Sequence, residues 1–157
     1  MPDRTPGGLF LPDADALALI TGPAPAKPPF ASPVEPDPTP GALRLEAGAA
    51  SPYLVTDAER WLVELDGPEL FTFAREPSLA ELIAIAESAA AVARPFVVVA
   101  PSFATDALAM LVVNKLRGIL NVGAVITPRP DDVKSWLGAR ALARVVSGSS
   151  STVFSAR

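Results

Sequence analysis

The pattern of apolar and polar positions changes near residue 42. Ahead of that point the one periodic stretch is PDADALALI at residues 12–20, which can form about two helical turns starting at Asp13 or Asp15. It reads either as a sticky patch in a disordered tail or as a helix that docks on the domain or on a partner. Beyond it the signals alternate. Residues 60–74 (RWLVELDGPELFTFA) predict two short strands around the turn Asp66-Gly67-Pro68. Ser78 and Glu81 have the capping-box spacing for a helix that carries Leu79, Leu82, Ile83, Ala86 and Ala90 on one side and ends before Arg94-Pro95. Phe96–Ala100 (FVVVA) is a continuous β-branched run, as expected of a strand buried on both faces. Thr105 is placed to cap a second helix over residues 106–117 that Gly118 stops, Val122–Ile126 (VGAVI) predicts another buried strand, and residues 133–146 predict a third, weaker helix. This order implies parallel βαβ pairing from Ser78 onwards, with a more β-rich part before it.

Proline sharpens the boundary. Eleven of the 18 prolines fall within the first 40 residues, and proline supplies no amide donor and holds its predecessor extended. Residues 1–42 therefore read as a flexible, disordered Pro-rich arm and residues 43–157 as one domain. The longest apolar runs are broken by Asp15 or by Arg94-Pro95, far short of a membrane span, so a soluble, cytoplasmic chain without a signal segment is expected.

Composition narrows the chemistry. The chain has 157 residues, a net charge of −4, and neither His nor Cys, which excludes Ser-His and Cys-His nucleophiles, His/Cys zinc sites and disulfides. Lys115, Arg117, Arg129, Lys134, Arg140 and Arg144 lack interleaved aromatics in an acidic chain and read as solvated helix faces, so no nucleic-acid partner is expected. Residues 118–123 have the glycine spacing of a phosphate loop but are followed by Ala124-Val125 and precede a strand. Residues 147–152 (SGSSST) have no base to activate a serine and read as a turn. Asp131-Asp132 suit a helix N-terminus better than a cation. Trp61 and Trp136 are isolated and read as packing. No metal and no cofactor are expected, and the chain is not read as an enzyme.

One feature stands out physically. The second helix contains seven consecutive apolar residues, 107–113, and is apolar nearly all round, although an amphipathic helix needs one stripe. Either it is sandwiched between layers, or one face is left open for docking.

SPYLV at residues 51–55 and ALAMLVVNKLRGILNVGAV at residues 107–125, with the helix, Arg94-Pro95 and strand between them, resemble the apical domain of group I chaperonins, the GroEL family. The family pattern Ala-Leu-Ala-Thr-Leu-Val-Val-Asn-Lys-Leu-Arg-Gly is matched at almost every position, and the resemblance covers about residues 43–155. It implies a three-layer β/β/α fold with a parallel βαβ core. It also implies binding of non-native polypeptide, and of a co-chaperonin mobile loop, in a groove between two helices and an extended segment. By position the groove residues are Tyr53 and Leu54, Ile83 and Ala86, and Leu108, Val112 and Val113. The resemblance favours an open groove over pure core.

Departures limit what carries over. Ala49 stands where the family has a groove tyrosine, Leu54 replaces an aromatic, and Ala86 replaces a larger aliphatic, which implies weaker or narrower client binding. The family's glycine-rich loop appears as Thr127 to Val133 without its glycines. The equatorial domain with its phosphate loop and the intermediate domain with its aspartate have no counterpart. The expected function is therefore ATP-independent, chaperone-like binding of unfolded or extended hydrophobic polypeptide by a monomer. Two alternatives stay open: an adaptor that engages a co-chaperonin or another chaperonin component, and a small α/β nucleotide- or metabolite-binding enzyme resting only on the βαβ pattern.

Overall fold

Gly67 (φ 60) makes a sharp turn after which the chain leaves one sheet and enters another. The structure, a computed structural model, describes residues 4–23, 27, 29, 31–36 and 39–156. Its helices are α1 (Ala14–Thr21), α2 (Leu79–Ala91), α3 (Thr105–Leu116) and α4 (Pro130–Leu137), with a 3-10 turn at Pro52–Leu54. Its strands are β1 (Leu43–Leu45), β2 (Val63–Asp66), β3 (Glu69–Thr72), β4 (Phe96–Ala100), β5 (Val122–Ile126), β6 (Leu142–Ser147) and β7 (Thr152–Ala156). The protein is mixed α/β. Among the described residues no helix is long and apolar enough to cross a membrane.

Strands β3, β4 and β5 form a parallel sheet in that order, with Phe96 opposite Glu69 on one side and Val122 on the other. Two successive crossovers in one direction place α2 and α3 on the same face, where they pack against each other. The opposite face meets the antiparallel sheet β1-β7-β6-β2: Gly123 of β5 lies under Leu65 and Val63 of β2, and a Cβ there would come within 3.0 Å of Leu65 Cδ1. Sandwiched this way, β4 is buried at all five positions, which accounts for its unbroken β-branched sequence.

The elements read from residues 78–126 form as expected. Ser78 and Glu81 close a full capping box, and Glu81 is also gripped by Arg75 at 2.8 and 2.9 Å. The Arg75 guanidinium and the Ser78 amide together hold the Glu81 carboxyl at about 2. Helix α3 starts one residue early, with Thr105 inside it and Ala104 at the N-cap, so no side chain caps it. The strands flanking Asp66-Gly67-Pro68 exist but do not pair with each other.

Two expectations are corrected. The third helix stops at Leu137, because Gly138 adopts φ 57, and residues 142–147 are instead β6. This strand is held by antiparallel partners on both sides, β2 and β7, with a bulge between Leu142 and Arg144. The arm is not free throughout: residues 4–21 lie on the helical face. Ser32 and Val34 donate backbone hydrogen bonds to Glu59 and Arg60 carbonyls, and Glu35 accepts from the Ser150 and Ser151 hydroxyls. The rest of the expected disordered arm, residues 1–3, 24–26, 28, 30 and 37–38, lies outside the described residues.

Candidate functional site

Helix α3 is apolar all round because it is enclosed. The parallel sheet lies beneath it, α2 beside it, the Pro52–Leu54 turn along another flank and α1 across its outside. Ala107, Ala109, Met110, Leu111, Val112 and Asn114 are all buried. Lys115 closes the flank toward the 3-10 turn by donating from Nζ to the Val55 carbonyl at 2.8 Å, and burial lowers its pKa. The segment before that turn is held against the edge of the parallel sheet, where Ala50 N–H donates to the Ala124 carbonyl at 2.7 Å.

The residues expected to line a groove are distributed unequally. Tyr53, Ile83 and Leu108 are partly buried against the core, and Val113 is partly buried. Leu54, Ala86 and Val112 are core residues with 0%, 0% and 1% of their surface exposed. The elements that carry them, the 3-10 turn, α2 and α3, do pack together around α3. The open apolar face expected from the resemblance is covered, and its cover is the N-terminal arm.

The arm is built for that seat. Pro6 and Gly7 turn the chain, Gly8 N–H donates to the Thr5 carbonyl at 2.9 Å, and Thr5 N–H to the Leu9 carbonyl at 2.8 Å, with Arg4 bridging Phe10. Gly8 has φ +91, which side-chain-bearing residues rarely adopt, and it forms the bulge that closes a tight hairpin. The hairpin spans α2 and α3. On α2, Glu87 accepts from the Thr5 hydroxyl at 3.0 Å and from the Gly7 amide, so that a side chain at Gly7 would have to push the Glu87 carboxylate aside. On α3, Asn114 accepts from Phe10 N–H and donates to the Phe10 carbonyl, both at 2.8 Å, while donating its second amide proton to the Met110 carbonyl at 2.8 Å. Leu9 is fully buried in the main hydrophobic cluster, and the guanidinium groups of Arg4 and Arg117 lie 4.3 and 4.6 Å from the centre of the Phe10 ring. After the hairpin, Asp13 accepts from Ala16 N–H to cap α1.

Three polar residues thus hold the arm: Glu87 and Asn114, which sequence reasoning did not single out, and Arg117, which it read as part of a solvated helix face. A signal was available. An asparagine inside an otherwise apolar helix must find hydrogen-bond partners when buried, and Asn114 has no exposed surface. What it offers is unusual for a core group. It presents one acceptor and one donor to the backbone of a single residue in an extended segment, whatever that residue's side chain.

The other candidate chemistries dissolve into structure. Gly118 ends α3 with φ 76 and Gly123 lies between the sheets, so the two glycines frame no phosphate loop. Ser147 to Thr152 is the β6–β7 hairpin turn, with Ser147 and Thr152 hydroxyls bonded at 3.0 Å. Asp131 and Asp132 occupy the first turn of α4. A cavity of about 430 Å³ runs between the outer edge of β3 and α4, lined by Leu70, Phe71, Arg94, Lys134, Leu137 and Leu142 among others. No protein-family model matches the chain.

Proposed function

We propose that the chain is a chaperonin apical-like binding module that holds extended hydrophobic polypeptide in the α2/α3 groove without ATP. One observation carries this reading: the groove already holds a peptide segment, the Arg4–Phe10 hairpin, with Leu9 fully buried and the Phe10 backbone clamped by Asn114. Burying such a leucine contributes roughly 1.5–3 kcal/mol, and each backbone hydrogen bond about 0.5–1.5 kcal/mol more. That is the scale of interaction from which chaperone-like affinity is built. The clamp reads main chain, so it suits clients of unrelated sequence, and selection rests on the apolar seat. The residues shared with the chaperonin family at 107–118 include both Asn114 and Arg117, which supports the same assignment.

The test uses the full chain with a permanently unfolded client, such as reduced and carboxymethylated α-lactalbumin, in the absence and presence of ATP. Saturable binding that ATP leaves unchanged is expected. The double substitution Ile83→Asp and Leu108→Asp, at two partly exposed positions, should weaken it by about tenfold or more, equivalent to about 1.4 kcal/mol per decade, with the circular dichroism spectrum retained. Equal binding by a folded double variant would overturn the assignment.

A further inference from the structure

We infer that the Arg4–Phe10 hairpin is a displaceable intramolecular ligand that keeps the α2/α3 groove shut, so that an outside segment enters only by taking its place. This rests on the polypeptide-binding reading above and adds its regulation. Three features of the contact support exchange. First, the clamp is generic: Asn114 offers one acceptor and one donor to the Phe10 main chain, and any extended backbone supplies the same donor and acceptor. Second, the hairpin's own hold is confined to a few points: Leu9 is fully buried, while Arg4 and Gly7 are exposed and Thr5, Gly8 and Phe10 only partly covered, and α1 behind it keeps a separate seat on α3. Third, the hairpin precedes the domain in the chain and contributes no strand to either sheet, so its departure leaves both sheets paired.

Tethering gives the hairpin a local concentration on the order of millimolar. A free segment of equal intrinsic affinity is therefore outcompeted at lower concentration, and the groove admits only clients that bind better or present several apolar stretches. The apparent affinity for an outside segment is its intrinsic affinity reduced by the fraction of molecules with the arm out.

The experiment alters only the arm and leaves the groove untouched. Gly7→Val displaces the Glu87 carboxylate that holds the turn, and Leu9→Asp puts a charge in the apolar seat. The probe is a fluorescein-labelled peptide with the natural sequence of residues 4–13, titrated into the full chain and into each full-length variant. Release of the arm is verified by hydrogen exchange at the Leu9 and Phe10 amides. Both variants should bind the probe about tenfold or more tightly than the unaltered chain, since the competing occupant is removed. In the unaltered chain the association rate should level off with probe concentration, limited by departure of the arm. Equal affinity in all three proteins would overturn the inference while leaving the polypeptide-binding reading intact, because binding would not require the arm to leave. No binding by variants whose arm is shown to be released would overturn both, because the vacated groove would accept no free segment.

Discussion

Replacing Asn114 by Asp is expected to lower stability by about 1–3 kcal/mol at neutral pH, up to the free energy of docking the arm, and to free the arm. The change is nearly isosteric, so the loss is electrostatic. Asn114 donates to two carbonyls, those of Phe10 and Met110, both at 2.8 Å. A carboxylate has no proton to give and would face both oxygens without exposed surface to recruit water. The direction of the pH dependence follows. Burial and the two carbonyls raise the introduced carboxyl's pKa in the folded state above its value of about 3.9 in the unfolded chain. The folded variant then binds more protons than the unfolded one, so its stability falls as pH rises from about 4 and the deficit shrinks on acidification. Urea titrations of both proteins at several pH values check this. A deficit that grows as pH falls toward 4 would show that Asn114 does not donate both bonds.

The second large effect separates two leucine-sized problems that burial alone treats alike. Phe96 and Leu9 are both 0% exposed and belong to one hydrophobic cluster. Phe96→Ala removes a ring that packs edge-on against Phe71, centroids 6.2 Å apart, at the centre of the parallel sheet, and should cost about 3–5 kcal/mol of global stability. Leu9→Ala would cost about 2–5 kcal/mol if the arm had to stay in place. It does not have to stay, so the loss is capped at the free energy of docking the arm. Past that cap the hairpin leaves and the domain persists. The expected signature is a modest shift in the unfolding midpoint together with loss of amide protection confined to residues 5–21. If Leu9→Ala instead unfolded the sheets as Phe96→Ala does, the arm would be an integral part of the core.

The parallel core was legible in the sequence because local signals and tertiary demands coincide there. Ser78 and Glu81 announce the start of α2, and the β-branched runs at Phe96–Ala100 and Val122–Ile126 correspond to strands enclosed on both faces. Strand β6 was not legible as such. ALARVVS has enough alanine and leucine for a helix, and only pairing with β2 and β7, one of them distant in sequence, selects the extended form. The Asp66-Gly67-Pro68 turn was recognised, but no local pattern could show that its two strands belong to different sheets.

The site was legible in a different proportion. Helix α3's all-round apolarity correctly marked it as unusual, and of the two explanations open to the sequence, enclosure is the one that holds. The enclosing element was hidden by composition. Eleven prolines in the first 40 residues argue for an unstructured arm, yet Pro6-Gly7-Gly8 between Arg4 and Leu9-Phe10 is also a turn between two short extended stretches. A hairpin of this size has little stability of its own. It forms because α2 and α3 supply the partners that its sequence cannot, and nothing within residues 4–10 reveals that. Glu87 and Asn114 were not singled out, and Arg117 was read as a solvated face, because contacts were sought among apolar side chains, whereas the arm is held in good part through its backbone.

On the proposed reading, extended polypeptide occupies the α2/α3 groove at the place now held by the arm. The most direct measurement is hydrogen exchange at the Phe10 amide, which donates to Asn114, with and without saturating unfolded client. Client binding is expected to strip protection from Phe10 and its hairpin neighbours while α2, α3 and both sheets stay protected. A client that binds with the Phe10 amide fully protected would contradict it.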